Sequence, residues 1–146
     1  MAGPGLVEQE DMTLFQWSDD YSVKVPSIDA QHQMLVRMLN DLHDGMAKGT
    51  SPEQLRQILS GLIDYTAKHF AYEERLFAEH GFPEAAEHIA EHAHLVGQVL
   101  AFQQKLESKQ VSLNMELMRF LKDWLIKHIL GSDKKYSALF VEKKVA

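Results

Sequence analysis

Histidine and acidic residues recur in this chain at the spacing of an α-helix. His69 and Glu73 are four residues apart, as are His88 and His92. Residues at this spacing lie on one helix face, so each pair can direct two ligand atoms at one point. The full set of candidate metal ligands is His32, His69, Glu73, His88, His92, His128 and Asp133. Imidazole and carboxylate suit iron, manganese, zinc or copper, and these ligands are too many for one ion and about right for two.

Four predicted helices, separated by short breaks, position these residues. Their apolar residues recur in alternating steps of three and four, which is typical of a bundle core, and the candidate ligands occupy core positions of that pattern. Ser27 and Ser51 are the predicted N-caps, Pro52 takes a first helical position, and Gly131 is predicted to end the last helix. The predicted helices span about residues 27–46, 52–79, 83–107 and 111–130.

Short connections make successive helices antiparallel neighbours. We therefore predict an all-α fold, an up-down-up-down antiparallel four-helix bundle with an extended N-terminal arm and a short C-terminal segment. The predicted arm covers residues 1–26 and the bundle domain covers residues 27–146. In this arrangement the candidate ligands converge at one end of the bundle, and the opposite half is an ordinary apolar core.

Asp133 is the least regular of the candidate ligands. It follows His128 by five residues, an offset that misses the face of a regular α-helix. Gly131 lies between them and would let the helix end or widen first, so that Asp133 turns back over the site.

The composition excludes several other classes of function. The chain of 146 residues suits one domain, and a net charge of −6 without a cluster of lysine and arginine argues against nucleic acid. The chain has no cysteine, which excludes disulfides, thiolate metal sites and thiol catalysis. No segment is long and apolar enough to span a membrane, and residues 1–5 lack the basic and apolar regions of a secretory signal. We therefore predict a cytoplasmic protein without membrane contact.

A purely structural role is the alternative for each histidine. A single core histidine is more often satisfied by a hydrogen bond, but five on converging helices with two carboxylates favour metal binding. His43 is assigned to the rim and His94 to the surface, and the four-residue offset of His80 and Glu84 is read as chance because Gly81 and Pro83 lie between them. Glu91 and His94 match the Glu-x-x-His pair of ferritin-like di-iron proteins. Those proteins need two such pairs, and the sequence contains only this one, which argues against a ferritin-like site. Glu91 is otherwise assigned, with neighbouring glutamates, to a solvated helix face.

Four segments of the sequence together resemble the hemerythrin family, most closely its single-domain bacterial members. They are Ile28-Asp29-Ala30-Gln31-His32, His69-Phe70-Ala71-Tyr72-Glu73-Glu74, His88-Ile89-Ala90-Glu91-His92 and His128-Ile129-Leu130-Gly131-Ser132-Asp133. With part of the arm, Trp17-Ser18-Asp19-Asp20-Tyr21, the resemblance covers about residues 15–140. It implies two non-haem iron ions, joined by an oxo or hydroxo bridge, that bind dioxygen reversibly. The implied function is an oxygen carrier, storage or delivery protein and not an enzyme.

The resemblance also implies a role for each candidate ligand. One iron would be held by His88, His92 and His128, the other by His32 and His69, and Glu73 and Asp133 would bridge the two. On two six-coordinate ions, five imidazoles, two bridging carboxylates and one bridging oxygen leave a single open position. One open position is what a small diatomic ligand needs.

Apolar residues adjacent to the candidate ligands are predicted to line the oxygen pocket. They are Leu35, Phe70, Trp124 and Ile129. A lining of this kind excludes water and bulky reductants, which would slow the oxidative loss of bound oxygen.

Two other functions are compatible with the same site. A di-iron redox enzyme would reduce nitric oxide or peroxide, or oxidise an organic substrate, although ligation rich in histidine favours reversible binding. A sensor of oxygen, redox state or nitric oxide would change its contact with a partner. The sequence does not specify a protein partner that receives the oxygen.

Overall fold

The computed structural model describes residues 13–146, so the first part of the predicted arm, residues 1–12, lies outside the described residues. The described elements are a 3₁₀ turn (Asp19–Tyr21), helices α1 (Pro26–Ala47), α2 (Pro52–His80), α3 (Ala85–Glu107) and α4 (Met115–Lys127), a π-helical turn (His128–Asp133) and helix α5 (Lys134–Glu142). Residues 13–146 contain no strand, and helices α1 to α4 form the bundle. The predicted all-α four-helix bundle is confirmed.

The beginnings of the first two helices follow different rules. Ser51 caps α2 as predicted, since its hydroxyl accepts a hydrogen bond from the Gln54 backbone N–H at 3.2 Å, and Pro52 follows at the first position. The predicted cap at Ser27 is wrong. Helix α1 already begins at Pro26, whose fixed φ suits the first helical position, and no side chain caps it. The Ser27 hydroxyl instead accepts a hydrogen bond from the Tyr72 hydroxyl at 2.8 Å.

Helix α4, which corresponds to the fourth predicted helix, differs from the prediction at both ends. It begins at Met115 rather than near residue 111, because the Asn114 side chain accepts a hydrogen bond from Leu117 N–H at 3.0 Å and caps it. It does not end at Gly131. The helical backbone continues through the π-helical turn into α5. Gly81 ends α2 in the left-handed conformation with φ of 67°, whereas Gly131 is not among the residues with positive φ.

The described part of the arm packs against the bundle. Phe15 is buried, and its backbone N–H and C=O form two hydrogen bonds with the Asn40 side chain, at 3.0 and 2.8 Å. Further along, Val23 and Val25 are fully buried. The Asp29 carboxylate in the first turn of α1 accepts a hydrogen bond from Val23 N–H at 2.8 Å, which fixes the chain where it joins the helix.

Two clusters of apolar side chains fill the interior. The first, which we call the long cluster, contains Phe15, Leu35, Val36, Leu39, Leu42, Leu55, Leu59, Leu62, Leu106, Met118, Leu125 and Ile129. The second, which we call the cap cluster, contains Val23, Val25, Ile28, Leu76, Phe77, Phe82, Tyr136 and Phe140. Along α1 and α2 the predicted ligands fall between these clusters, as His32 does between Ile28 and Leu35. The site is therefore covered by apolar side chains on both sides, including an apolar cap that the sequence analysis did not predict.

Candidate metal centre

All seven predicted ligands lie together in the interior of the bundle. Helix α1 supplies His32, α2 supplies His69 and Glu73, α3 supplies His88 and His92, and the π-helical turn supplies His128 and Asp133. None of the seven side chains is more than 5% exposed. The convergence that the helical spacing predicts is therefore present in the structure.

The seven side chains form two groups that share one carboxylate. The first, which we call the three-histidine cluster, consists of Glu73, His88, His92, His128 and Asp133, and the second, the two-histidine cluster, consists of His32, His69 and Glu73. Within each cluster the potential ligand atoms lie within 4.8 Å of one another. Since Glu73 belongs to both clusters, its carboxylate lies between two positions that could each hold an ion.

The π-helical turn brings Asp133 onto the same face as His128. A π-helix bonds residues five apart, which is the separation of these two residues. Asp133 Oδ1 lies 3.1 Å from His128 Nε2 and 2.9 Å from His88 Nε2, whereas Oδ2 lies 3.1 Å from His32 Nε2. The two oxygens therefore face different clusters. Of the two possibilities that the sequence left open at Gly131, the helix widens and does not end.

The outer nitrogens of three ligand rings have hydrogen-bond acceptors. His92 Nδ1 donates to Glu74 Oε2 at 2.9 Å, and His128 Nδ1 donates to Glu91 Oε2 at 2.9 Å. His69 Nδ1 donates to the Gln31 side-chain oxygen at 2.6 Å. These bonds fix which face of each ring turns inward, so that Nε2 points into the site.

Sequence reasoning missed these three acceptors. Gln31 and Glu74 are each adjacent in sequence to a predicted ligand, which was the signal available for them. Glu91 was assigned to a solvated face, and it does lie on one, but its contact with the site was missed. Its side chain is 47% exposed, but the carboxylate accepts hydrogen bonds from both His128 and the Ser132 hydroxyl, the latter at 2.6 Å. Glu91 therefore ties α3 to both ends of the π-helical turn.

Several histidine nitrogens and carboxylate oxygens that face into the site lie close together without a hydrogen atom to share between them. Because Nδ1 of His92 and of His128 each donate to a glutamate, the neutral rings carry lone pairs at Nε2. These two Nε2 atoms lie 3.1 Å apart. His88 Nε2 and both oxygens of Asp133 are buried without a hydrogen-bond partner. Buried lone pairs that converge in this way need a cation or a proton between them, so the donor set fits a metal centre.

Without a metal ion, protons on two histidines would balance the buried carboxylates. Burial lowers the pKa of His32 and His128, but contact with Asp133 outweighs burial and raises both values above 6.5. Burial raises the pKa of Asp133, but contacts with His128, His32 and His88 hold it well below its usual value. The pKa of His69 is lowered to about 4, chiefly because burial disfavours its charged form.

Tyr136 is a further residue that the sequence analysis did not assign to the site. It is fully buried in the cap cluster, and its hydroxyl donates a short hydrogen bond to Glu73 Oε2. Burial, together with the charges of Asp133 and Glu73, raises the pKa of Tyr136 well above its usual value, so the hydroxyl stays protonated as a donor. Glu73 is thus oriented from the cap side of the site.

A cavity of about 60 Å³ adjoins the site on the side of the long cluster. Its walls are almost entirely apolar, and four of the predicted ligands line it: His32, His69, His128 and Asp133. Three of the four residues predicted to line the oxygen pocket, Leu35, Phe70 and Trp124, line this cavity. A single water needs roughly 10–15 Å³ measured in the same way, so the cavity has room for a small diatomic molecule.

Ile129 is not among the residues that line the cavity. It is fully buried, but in the long cluster. It follows His128 by one residue, which turns its side chain roughly a quarter of a turn around the helix. By contrast, the rings of Phe70 and Trp124 are stacked directly on ligand histidines, Phe70 on His92 with centroids 3.7 Å apart and Trp124 on His128 at 4.4 Å.

The three remaining histidines lie outside both clusters, in agreement with the sequence analysis. His94 is exposed, and the rings of His80 and Phe140 are in contact with centroids 5.8 Å apart. His43 Nδ1 lies 3.8 Å from an oxygen of Asp44 on the same helix. None of the three belongs to a group of potential ligands within residues 13–146.

Comparison with known proteins identifies one family for this chain and its fold. The Hemerythrin HHE cation binding domain matches residues 23–140. A bacteriohemerythrin of Methylococcus capsulatus is 37% identical over 126 residues, which cover 86% of this chain and 95% of the relative. A myohemerythrin of Riftia pachyptila is 30% identical over 122 residues, covering 84% and 90%. The solved structure of a wild-type hemerythrin superposes with a TM-score of 0.82 at 34% identity, covering 86% of this chain and 96% of that one.

The chain belongs to the hemerythrin family. Hemerythrin domains bind a non-haem metal centre, normally a pair of irons, and the buried histidine and carboxylate clusters of this chain lie within the matched residues. Within residues 13–146, no helix combines the length and the apolar character that crossing a lipid bilayer requires.

Proposed function

We propose that this chain binds dioxygen reversibly at a centre of two iron ions. The observation that carries the proposal is the position of the apolar cavity, which reaches both imidazoles of the two-histidine cluster but, in the three-histidine cluster, only one of the three imidazoles, His128, together with Asp133. The two-histidine cluster offers fewer imidazoles than its neighbour, so an ion bound there would be the one with room for a further ligand. Membership of a family consisting mostly of oxygen carriers supports the same function.

The proposed ligand assignment follows the two clusters. His88, His92 and His128 would hold one ion, His32 and His69 would hold the other, and Glu73 and Asp133 would contact both. Two iron ions bound there would supply the electrons and the open coordination position that dioxygen binding requires. The separation of the Asp133 oxygens between the clusters supports a bridging role for that carboxylate.

The residues around the site would protect the bound molecule. Leu35 and Phe70 are no more than 5% exposed and exclude water from the cavity. The Tyr136 hydroxyl holds one oxygen of Glu73, while Gln31, Glu74 and Glu91 hold three imidazoles in place. A dry site whose ligands are fixed from outside favours binding and release over side reactions with water.

Binding is favoured over turnover of an organic substrate by the size of the cavity. A volume of about 60 Å³ corresponds to roughly four to six water molecules, so it has no room for a large organic substrate. Small ligands such as nitric oxide and peroxide would fit, so the test must separate binding from reaction.

The test is repeated oxygenation of the iron-loaded protein. The chain is loaded anaerobically with ferrous iron, analysed for two irons per chain, and cycled between air and argon while the visible spectrum is recorded. We expect an absorption band that appears in air and disappears under argon in every cycle. Irreversible conversion to the ferric spectrum in the first cycle, or binding of a single ion per chain, would rule the proposal out.

A further inference from the structure

The hydrogen bonds outside the two clusters are not equivalent in charge. In the three-histidine cluster, the acceptors for His92 and His128 are the carboxylates of Glu74 and Glu91, both at 2.9 Å. In the two-histidine cluster, the acceptor for His69 is the neutral side-chain amide of Gln31, at 2.6 Å. Two negative charges therefore support the three-histidine cluster. In the two-histidine cluster neither imidazole has a charged acceptor at Nδ1, because that of His69 is the Gln31 amide and Nδ1 of His32 is buried without a hydrogen-bond partner.

The charge of the acceptor changes how the imidazole binds a metal. A carboxylate that accepts from Nδ1 increases the electron density at Nε2, whereas an amide oxygen does so more weakly. Greater donation from Nε2 stabilises a ferric ion more than a ferrous ion, because the ferric ion carries the higher charge. The two carboxylates are partly exposed, but the imidazole rings that would carry their effect to the metal are no more than 5% exposed.

From this asymmetry we propose that Glu74, Glu91 and Gln31 are positioning residues that set different reduction potentials at the two iron positions. Glu74 and Glu91 lower the potential of the ion in the three-histidine cluster, and Gln31 leaves the ion in the two-histidine cluster easier to reduce. This inference rests on the proposed di-iron function. It adds an assignment of which ion gives up its electron at the lower potential.

The three side chains are suited to substitution. Glu74 and Glu91 are 33% and 47% exposed, so glutamine at either position preserves the shape of the side chain without burying a new polar group. Gln31 is half-buried at the first turns of α1, and Gln31→Glu adds a charge where the two-histidine cluster has none. Glu87→Gln is the matched control, because Glu87 lies one turn before Glu91 on the same exposed side of α3.

The experiment is an anaerobic potentiometric titration of the iron-loaded proteins, followed by absorbance, with no oxygen present. In the wild type we expect two one-electron steps. Glu74→Gln and Glu91→Gln should each raise the lower potential, and Gln31→Glu should lower the higher one. The mean of the two potentials thus rises in Glu74→Gln and Glu91→Gln and falls in Gln31→Glu. The difference between the two potentials becomes smaller in all three variants. A tenfold change in the preference for ferric over ferrous iron at one position corresponds to a shift of about 59 mV.

A general effect of surface charge would give a different pattern. If each variant moved both steps together and left the gap unchanged, or if Glu87→Gln reproduced the shift, the inference would be overturned. A comparison of metal affinity gives a second criterion. If the variants bound zinc and ferrous iron with equally reduced affinity but kept the wild-type potentials, the inference would also be overturned, since the residues would then support metal binding without changing the potentials. Loss of the proposed oxygen binding is a separate outcome, because it is scored in air on protein whose iron content and potentials are already known.

Discussion

The Tyr136 hydroxyl donates a hydrogen bond to Oε2 of Glu73 in the fully buried layer between the cap cluster and the metal site. This bond links α5 to Glu73, the carboxylate that belongs to both clusters. Tyr136 thus connects the packing of α5 to the geometry of the site.

Replacement of Tyr136 by phenylalanine should weaken both folding and metal binding. The substitution keeps the ring but leaves a buried carboxylate oxygen without its donor, which costs on the order of 1–3 kcal/mol. Loss of a residue that orients a ligand reduces metal affinity roughly 10- to 100-fold. Urea unfolding and competition with a chelator measure the two effects. Tyr65→Phe is the control, and an equal response from both variants would contradict this role for Tyr136.

Replacement of Gly131 by alanine should be tolerated. A Cβ at this position meets no atom within 4 Å, and the backbone does not need a left-handed conformation. Alanine in a helix is more stable than glycine by about 0.5–1 kcal/mol, so thermal unfolding should occur at the same or a higher temperature. Gly81→Ala provides the contrast, because φ of 67° makes alanine unfavourable there. Loss of iron from Gly131→Ala would show that the π-helical turn requires glycine.

Enlargement of the cavity should shorten the lifetime of the oxygenated protein. Leu35→Ala and Trp124→Ala remove apolar walls, so water and reductants reach the site more easily. A buried leucine replaced by alanine also costs about 2–5 kcal/mol of stability, and the decay must be measured well below the unfolding temperature. The decay of the visible spectrum in air gives the rate. Leu130→Ala removes a leucine that is 45% exposed and should decay at the wild-type rate.

The metal-free protein should lose stability as the pH rises above 6.5. The pKa values of His32 and His128 are raised in the folded state, so their contribution is complete below 6.5 and is lost as pH rises through the raised values. The pKa of His69 is lowered to about 4, so this residue destabilises the folded state as the pH falls from about 6.5 to 4. It therefore does not contribute to the decline above pH 6.5. Chemical unfolding between pH 6.5 and 8.5 measures the decline.

Two comparisons test the origin of that decline. The iron-loaded protein should not show it, because the bound cations replace the protons that balance Glu73 and Asp133. His94→Gln, at an exposed position, should leave the decline of the metal-free protein unchanged. Constant stability of the metal-free wild type across this range would mean that His32 and His128 are not protonated at neutral pH.

The helical periodicity of the sequence predicted both the fold and the convergence of the ligands, because the same spacing places apolar residues and ligands in the core. Positions that bury leucine elsewhere in a helix carry His69 and Glu73 here, so the core pattern also indicates the site. The predicted bundle and its family are confirmed, whereas the ligand roles remain predictions that metal analysis must test.

The details that were missed depend on contacts between distant parts of the chain. The acceptor role of Glu91 requires knowing that Ser132 and His128 lie against α3, which the spacing within α3 does not reveal. The helix was predicted to end at Gly131 because glycine is common at helix ends. There, the packing of Tyr136 and Phe140 into the cap cluster favours continuation of the helix instead.

The distribution of the ligands along the chain has a consequence for synthesis. His32 comes from the first helix of the bundle and Asp133 from the turn that follows the fourth. A nascent polypeptide that reaches only to the end of α4 would have some of the imidazoles but neither Asp133 nor Tyr136, which holds Glu73. Iron loading is therefore expected to begin only after the segment that contains Asp133 and Tyr136 has left the ribosome, and a product truncated before that segment is expected to bind no iron pair.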